Sequence, residues 1–476
     1  MYDIIIIGSG ITGSIIAHDL SKFQLKVAIL EKNNDVASET TGANSAMIHS
    51  GHDPKEGTLK AVMNVRGNAL YPALCKELKV DLQFVGALVV AASEEELPGL
   101  EFLYNQAVSR KIPVNYLDHD QALAREPNLS DTVIKAMDLP TTGIVSPFEL
   151  TVACVEDAMN NGVELFLNNK VIAINQKDYG FEVVTNQTTY QTKVVINAAG
   201  LYADEIYKLV SDSTQFKILP RKGEYFVLDK SRSQFVHSVI MPLPSKMGKG
   251  VLAVPTVHGN VLIGPNSLDI ADKEGIDNTA EALDYIRREI KRTIRNVPMN
   301  TVIHVYSGLR PTSSTGDFII EEAPDVKNFI NVAGIESPGL ASAPAISEYV
   351  LNTILKDKFE FKLKEHHVER RPFIVMNHMN AEERADLVNQ NPQFAQMICR
   401  CEKISEGEIV DFIHRNCGAT TVKGVKRRAR PGMGRCQGGF CEPKVVDILA
   451  RELHKTPLEI RMDSEDSVML ISRTKE

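Results

Sequence analysis

Residues 2–31 read YDIIIIGSGITGSIIAHDLSKFQLKVAILE, and this stretch decides the fold. The run from Asp3 to Ile7 is short and apolar, the pattern of a parallel strand buried on both faces. The turn Gly8-Ser9-Gly10-Ile11-Thr12-Gly13 follows, then a helical stretch to about Lys22, then a second strand from Lys26 that ends on Glu31. Each glycine of this βαβ start has a task. Gly8 permits the tight turn, Gly10 lets backbone approach a pyrophosphate, and Gly13 lets the helix pack closely on the strand. The helix N-terminus, with Ile11 and Thr12 beside the turn, offers N–H groups and a positive dipole end to phosphates. Glu31 lies 18 residues beyond Gly13. Its carboxylate suits both ribose hydroxyls and would repel a 2′-phosphate. The motif predicts a dinucleotide site and does not choose between NAD and FAD.

Further along, VELFL, VIAI, FEVV and VVINAAG between about 163 and 198 predict a meander and a strand that returns to the nucleotide domain. YFVL, VLAVP and VLIG predict strands within 219–265. Leu283, Ile286, Ile290 and Ile294 recur at helical spacing and predict a helix from Ala280 to Arg295. Phe329 to Gly334 reads as another strand running into a glycine turn, and Ala343 to Leu355 as a helix. Residues 361–395 are polar and read as a connector with one short helix.

The chain has 476 residues, enough for about three domains. Its 53 basic and 61 acidic residues give a net charge of −8, which supplies no global field for nucleic acid or anionic lipid. With 43% hydrophobic and 24% charged residues, disordered and fibrous classes are excluded. No apolar run approaches the roughly 18 residues of a membrane span. The N-terminal apolar run lacks a basic flank, so it is not read as a signal peptide. The chain is expected in the cytoplasm, with peripheral contact at the inner face of the cell membrane left open.

Cys399, Cys401, Cys417, Cys436 and Cys441 crowd into a 43-residue window. Clustered cysteines in a cytosolic chain point to metal or redox chemistry. Cys399-x-Cys401 and Cys436-x4-Cys441 offer four thiolates for a zinc ion or a [2Fe–2S] cluster. Structural zinc sites favour spacers of two to four residues within a pair, so Cys-x-Cys is atypical for zinc. Cys417 fits neither pair and is expected as a buried thiol. Lys423, Lys426, Arg427, Arg428, Arg430 and Arg435 lie between or beside the pairs, where cations would raise a cluster's potential or dock an acidic partner. Aromatic residues are too few there for nucleic-acid binding.

Five segments in order resemble the D-amino-acid oxidase-like FAD superfamily over nearly the whole chain. They are the Gly8–Gly13 turn, Thr40 to Gly51, Ile196 to Asp204, Ser307 to Pro311, and Gly334 to Leu340. Within that group the chain resembles FAD-linked glycerol-3-phosphate dehydrogenases and, in Asn44-Ser45 through Ile48-His49-Ser50-Gly51, L-2-hydroxyglutarate dehydrogenases. The cysteine region is similar to the bacterioferritin-associated-ferredoxin-like [2Fe–2S] domain, in Ile398 to Glu402 and Gly434 to Cys441.

The resemblance implies an α/β fold: a Rossmann-type FAD-binding domain, an inserted α+β substrate domain and a small C-terminal helical [2Fe–2S] domain. The expected boundaries are 1–75 with 142–210 and 300–360 for FAD, 76–141 with 211–299 for substrate, 361–395 for the linker and 396–460 for the cluster domain. It implies FAD contacts from Gly8, Gly10, Ile11, Thr12, Gly13, Glu31, Asn44, Ser45, Ala199, Gly200, Gly334, Gly339 and Leu340. Cluster ligands would be Cys399, Cys401, Cys436 and Cys441. His49 is expected as the proton acceptor, since imidazole titrates near neutrality, or as a group orienting the flavin, with His258 the second candidate. Arg310 is expected at the reacting centre, and Arg221, Lys222 and His258 as substrate contacts. Along a strand only one of the neighbours Arg221 and Lys222 can face the pocket. Such cations imply a small anionic hydroxy substrate. Oxidation of sn-glycerol 3-phosphate to dihydroxyacetone phosphate is expected, with electrons leaving to a quinone or a partner flavoprotein subunit. The alternatives are L-2-hydroxyglutarate oxidation and a non-catalytic electron-transfer subunit.

Overall fold

A computed structural model describes residues 1–213, 215–244 and 250–472. Residues 245–249, inside the stretch read as strands over 219–265, lie outside the described residues.

The opening motif forms strand Tyr2–Ile7, helix Ile11–Ser21 and strand Val27–Leu30. Tyr2–Ile7 is the centre of an eight-stranded sheet, parallel to Val27–Leu30 on one edge and Thr189–Asn197 on the other. Its residues alternate faces. Ile4 and Ile6 join one core with helices Ile11–Ser21, Pro147–Asn160 and Gly339–Tyr349. Ile5 and Ile7 join the opposite core with Phe181, Tyr207 and Leu309. Burial on both faces is why this strand is uninterrupted isoleucine. The expected meander is present: Val171–Lys177, Gly180–Thr185 and Thr189–Asn197 pair antiparallel. Phe329–Ala333 lies parallel to Thr189–Asn197.

A second, nine-stranded sheet stands beside the first. Its long pair is Ile218–Leu228 against Val302–Ser313, antiparallel along their length. The second of these was expected with the FAD-binding segments (300–360), but its ladder joins it to this sheet. Strand Ala87–Ala91 is buried on both faces here, under helix Leu97–Ser109 on one side and beside Ile286 of helix Ala280–Glu289 on the other. The helix expected to Arg295 gives way at Ile290–Arg292 to a tighter 3-10 turn, and Ile290 and Ile294 stay buried. The helix expected from Ala343 starts at Gly339, and its last turn, Val350–Ile354, widens to a π-helix. Helix Leu59–Leu78 crosses it so closely that a Cβ at Gly67 would lie 2.1 Å from the carbonyl oxygen of Ala341.

The connector contains one α-helix, Ala381–Gln390, flanked by 3-10 turns at Met376–His378 and Pro392–Ala395. It is anchored by Arg370, which is fully buried and donates to Glu156 (2.8 Å) and to the Leu78 carbonyl (2.6 Å). Three helices, Glu406–Ile413, Val422–Ala429 and Glu442–Glu452, then close the C-terminal module around Ile409, Val425 and Leu449. Among the described residues no helix is long and apolar enough to cross a membrane.

Candidate active site

A cavity of about 510 Å³ opens between the two sheets. All five segments quoted above reach it. Gly10, Ile11 and Thr12 come from the first turn, Ala43, Asn44, Ser45 and His49 from the second segment, and Ala198 and Gly200 from the third. Gly308, Arg310 and Pro311 come from the fourth, and Ile335 through Leu340 from the fifth. Gly8, Gly13, Glu31, Ala199 and Gly334 stand behind this wall. Gly13 is needed for packing, since a Cβ there would sit 2.3 Å from the Gly8 carbonyl oxygen. The Glu31 carboxylate accepts from the Ser9 N–H and hydroxyl (both 2.8 Å) and the Asn33 N–H (2.9 Å), and burial pushes its pKa up. Three acceptor sites are therefore used within the chain, and a carboxylate has about four.

The Thr40–Ser45 loop is clamped in place. Thr41 Oγ1 accepts from the Ile11 N–H (3.0 Å), and Thr40 donates to the Leu309 carbonyl (2.8 Å). A Cβ at Gly308 would fall 1.9 Å from the Ala43 carbonyl oxygen, so loop and strand touch backbone to backbone. Asn44 spends its side chain inside the loop: it donates to the carbonyls of Thr40 (3.2 Å) and Thr41 (2.8 Å) and accepts from the Ala46 N–H (2.7 Å). Its role is to shape the wall. At the other end, helix Gly339–Tyr349 starts on the cavity with no acidic residue in its first turn, so its positive end faces inward. Convergence of two helix N-termini and glycine-thinned walls on one cleft fits a dinucleotide.

On the wall formed by the nine-stranded sheet Arg221 and Arg310 are direct cross-strand partners, and both line the cavity. Arg221 Nε is 2.6 Å from Asp269. Arg310 lies over Gly223, where a Cβ would be 2.6 Å from its Nη2. Beneath it Tyr225 stacks on Tyr306 (4.7 Å between rings), whose hydroxyl donates to the Asn44 carbonyl (2.8 Å). Burial raises the Tyr225 phenol's pKa, with Arg310 opposing. Lys55 and Lys60 add further cations, Lys60 paired with Glu336 at 2.6 Å. These lysines and Tyr225 were missed by sequence reading, since no motif marks them. His49 lines the cavity, and its carbonyl accepts from Asn64 (2.8 Å) and Asn68 (3.1 Å).

Two expected substrate contacts lie elsewhere. Lys222 faces the opposite side of its strand, as alternation requires, and is buried against Asp277 (3.2 Å). His258 sits behind the cavity with Nε2 2.7 Å from Glu149. Burial raises the pKa of that carboxyl, but His258 and Arg430 more than reverse it.

In the C-terminal module the four cysteines form two close pairs. Cys401 Sγ lies 3.7 Å from Cys436 Sγ. Cys399 hydrogen-bonds Cys441, which with the N–H groups of Glu402 and Gly432 holds the Cys399 thiol below its usual range. Two pairs suit two irons, and N–H donors to sulfur suit a cluster. Gly434 lets backbone pass the Cys401 side chain, where a Cβ would be 2.3 Å away. Cys417 is buried outside both pairs, and burial pushes its thiol up to about 11.

The basic run, expected to tune the cluster or dock an acidic partner, is largely spent within the chain. Arg428 makes a buried bidentate pair with Asp35 (2.7 and 2.8 Å), Arg430 meets Glu402 (2.9 Å), Arg435 meets Asp229 (2.7 Å) and Lys423 meets Asp463 (2.7 Å).

Comparison with known proteins agrees with this arrangement. Residues 3–352 match the FAD dependent oxidoreductase family, and residues 397–451 match the BFD-like [2Fe-2S] binding domain. A glycerol 3-phosphate dehydrogenase of Caloramator mitchellensis is 48% identical over 100% of this chain and 99% of its own length. An L-2-hydroxyglutarate dehydrogenase of Escherichia coli K12 is 32% identical over 62% of this chain and 73% of its own. The solved L-alpha-glycerophosphate oxidase of Mycoplasma pneumoniae, with FAD bound, superposes with a TM-score of 0.74 at 29% identity, covering 79% of this chain and 99% of that one. The family match spans every strand of the glycine-walled cleft and the second match spans both thiol pairs: the chain belongs to the FAD-dependent oxidoreductases, is an enzyme, and has FAD and a [2Fe–2S] cluster as its cofactors.

Proposed function

We propose that the chain oxidises sn-glycerol 3-phosphate to dihydroxyacetone phosphate and passes the electrons, through its cluster, to a quinone or a partner flavoprotein subunit. The observation that carries the reading is the cross-strand pair Arg221 and Arg310 on the cavity wall. Asp269, 2.6 Å from Arg221 Nε, offsets part of the repulsion between like charges set directly opposite, and a bound anion would offset the rest. A phosphate offers oxygens enough for bidentate bonds to both guanidiniums. Lys55 and Lys60 extend the cationic wall, against Asp53 and Glu336. The substrate's secondary alcohol must lose a hydride from carbon and a proton from oxygen, and His49 is the residue assigned to the proton. FAD when bound accepts the hydride, and the cluster then carries single electrons onward. The 48% identity to a glycerol 3-phosphate dehydrogenase, extending over the cysteine module, supports the substrate and the fused relay together.

L-2-hydroxyglutarate is the second reading. Its two carboxylates would suit the same guanidinium pair, and the 32% identity to such a dehydrogenase favours it over other hydroxy acids. Anaerobic titration of the purified protein, watching the flavin band, tests both. Bleaching by sn-glycerol 3-phosphate at near-stoichiometric amounts supports the first; bleaching by L-2-hydroxyglutarate alone replaces it. Bleaching by neither favours the relay subunit. The variant His49→Ala should keep its FAD and reduce it roughly 10²–10⁴-fold more slowly; an unchanged rate removes His49 from the proton step.

A further inference from the structure

The cluster module is fixed to the oxidoreductase by a polar seam at the far end of the substrate sheet from Arg221. Lys230 Nζ is 2.6 Å from Glu402 Oε2, which also receives Arg430 Nε at 2.9 Å. The Glu402 side chain is 1% exposed and follows Cys401 directly. Arg435, next to Cys436, meets Asp229 at 2.7 Å. Arg430 also donates to Asn260 (3.3 Å) and faces the Glu149–His258 pair. Asp229, Lys230, His258 and Asn260 all sit in turns at the ends of strands Ile218–Leu228, Leu252–Pro255 and Val261–Gly264.

This seam lies close to the flavin loop. Glu149 follows Phe148, whose ring edge is 3.3 Å from a Cβ placed at Gly42. Along the neighbouring strand, Gly308 touches Ala43 and His304 is near enough to Lys426 of the module to feel its charge. Four residues of strand separate these two points, about 13 Å at roughly 3.3 Å per residue. From Arg221 to Asp229 the same rise gives about 26 Å. Gly308 lies opposite Gly223, six residues or about 20 Å from Asp229 along the ladder, so it is the Phe148–Glu149–His258 side of the seam that reaches the Thr40–Ser45 loop, while the Asp229 end is remote from Arg221.

We infer that this seam is the internal electron-transfer interface. Asp229, Lys230 and His258 are positioning residues that hold the cluster beside the Thr40–Ser45 loop, and His258 serves electron exit instead of substrate binding. The inference rests on the reading that electrons pass from FAD to the cluster within one chain, and its test separates the two. The full-length holoprotein is mixed anaerobically with sn-glycerol 3-phosphate in a stopped-flow instrument, and flavin and cluster absorption are followed separately. In Asp229→Arg and Lys230→Glu, flavin bleaching should keep the parent rate while cluster reduction slows at least tenfold. Asp229→Glu, which preserves the pair, should stay within twofold of the parent. Amide hydrogen exchange on the oxidised, substrate-free holoprotein should rise at residues 400–405 and 430–436 in the charge-reversed variants and not in Asp229→Glu. His258→Gln should leave KM for sn-glycerol 3-phosphate unchanged and slow cluster reduction. Parent-like cluster reduction in both charge-reversed variants overturns the proposal, as does slowing in Asp229→Glu equal to that in Asp229→Arg. Should sn-glycerol 3-phosphate bleach no flavin in the parent, the substrate reading fails by itself. Light-driven flavin reduction in the presence of EDTA then supplies the electrons, and the same comparison of variants decides the seam.

Discussion

Replacing Asp35 by alanine should loosen the cluster module from the enzyme, and the cost can be worked from the contacts. Both Asp35 oxygens are engaged by Arg428, at 2.7 and 2.8 Å, and the two side chains are 6% and 1% exposed. Arg427 adds a longer contact at 3.4 Å. Hydrogen bonds to charged groups contribute about 1.5–3 kcal/mol each, so the two short ones amount to about 3–6 kcal/mol. Removing one member of a buried ion pair costs about 3–5 kcal/mol, because the other charge is stranded. The chain has no tryptophan, so the visible circular dichroism of the cluster is the module-specific signal. With a urea m value near 1 kcal/mol per M for so small a module, loss of that signal should come about 3 M earlier in Asp35→Ala. Asp35→Asn, which keeps one acceptor, should fall between. Burial pushes the Asp35 carboxyl up, but Arg428 and Arg427 overcome it and hold it below the usual range. A depressed carboxyl stabilises above its unfolded value near 4 and loses that contribution as pH falls through the folded value. The gap between parent and Asp35→Ala should thus be full at pH 6–7 and shrink below about pH 4. A midpoint for Asp35→Ala within about 0.5 M of the parent at pH 7 would refute the reasoning.

Arg310→Met should lower kcat/KM for sn-glycerol 3-phosphate on the order of 10³-fold, the loss expected for a bidentate charged contact; steady-state kinetics on flavin-normalised enzyme checks it. Gly308→Ala puts a methyl where the Ala43 carbonyl oxygen is 1.9 Å away, so the flavin loop must move and the protein should purify with less than half the parent's FAD, read from its absorption spectrum. Cys401→Ser should abolish the cluster's visible and paramagnetic signals while substrate still bleaches the flavin, showing that the two centres load independently.

What the sequence made legible was local. The βαβ start could be read because turn glycines, consecutive isoleucines and the terminal acid all lie within 30 residues. That only one of Arg221 and Lys222 faces the pocket was legible too, since strand alternation needs no tertiary knowledge, but which of the two it is was not. Pairing across long separations was not. Arg221 faces Arg310 across 89 residues of chain, and no local pattern encodes that register. His258 looked like a site residue because imidazole in a glycine turn suits catalysis; its partner Glu149 comes 109 residues earlier. The basic run misled for the same reason. Read locally it is a field of unpaired cations, and its neutralising carboxylates Asp35 and Asp229 belong to other domains. Helix ends were also misread. The apolar spacing continues to Ile294, but burial of Ile290 and Ile294 is met by a 3-10 turn and coil as well as by helix.

The two longest strands explain why one sheet serves both ends of the proposed reaction. Ile218–Leu228 and Val302–Ser313 pair over their whole length. Near one end they set Arg221 opposite Arg310; in the middle they stack Tyr225 on Tyr306 beneath the flavin loop; at the other end they deliver Asp229 and Lys230 to the cluster module. Functional groups borne on a continuous ladder keep their separation better than groups carried by loops, because each is fixed by hydrogen bonds on its own strand and its neighbour's. Substrate cations, flavin loop and cluster seam are therefore spaced by the same backbone. Asp229 and Lys230 sit in the turn that directly follows the ladder, so their placement is inherited from it, and the module is held there by the ion pairs to Arg435 and Glu402. The buried Arg428–Asp35 and Arg415–Glu156 pairs hold the module's other side to the first sheet and its helix. Attachment on both sides makes the module a fixed part of the enzyme, so the connector of residues 361–395 acts as a strap, with Arg370 buried as its anchor.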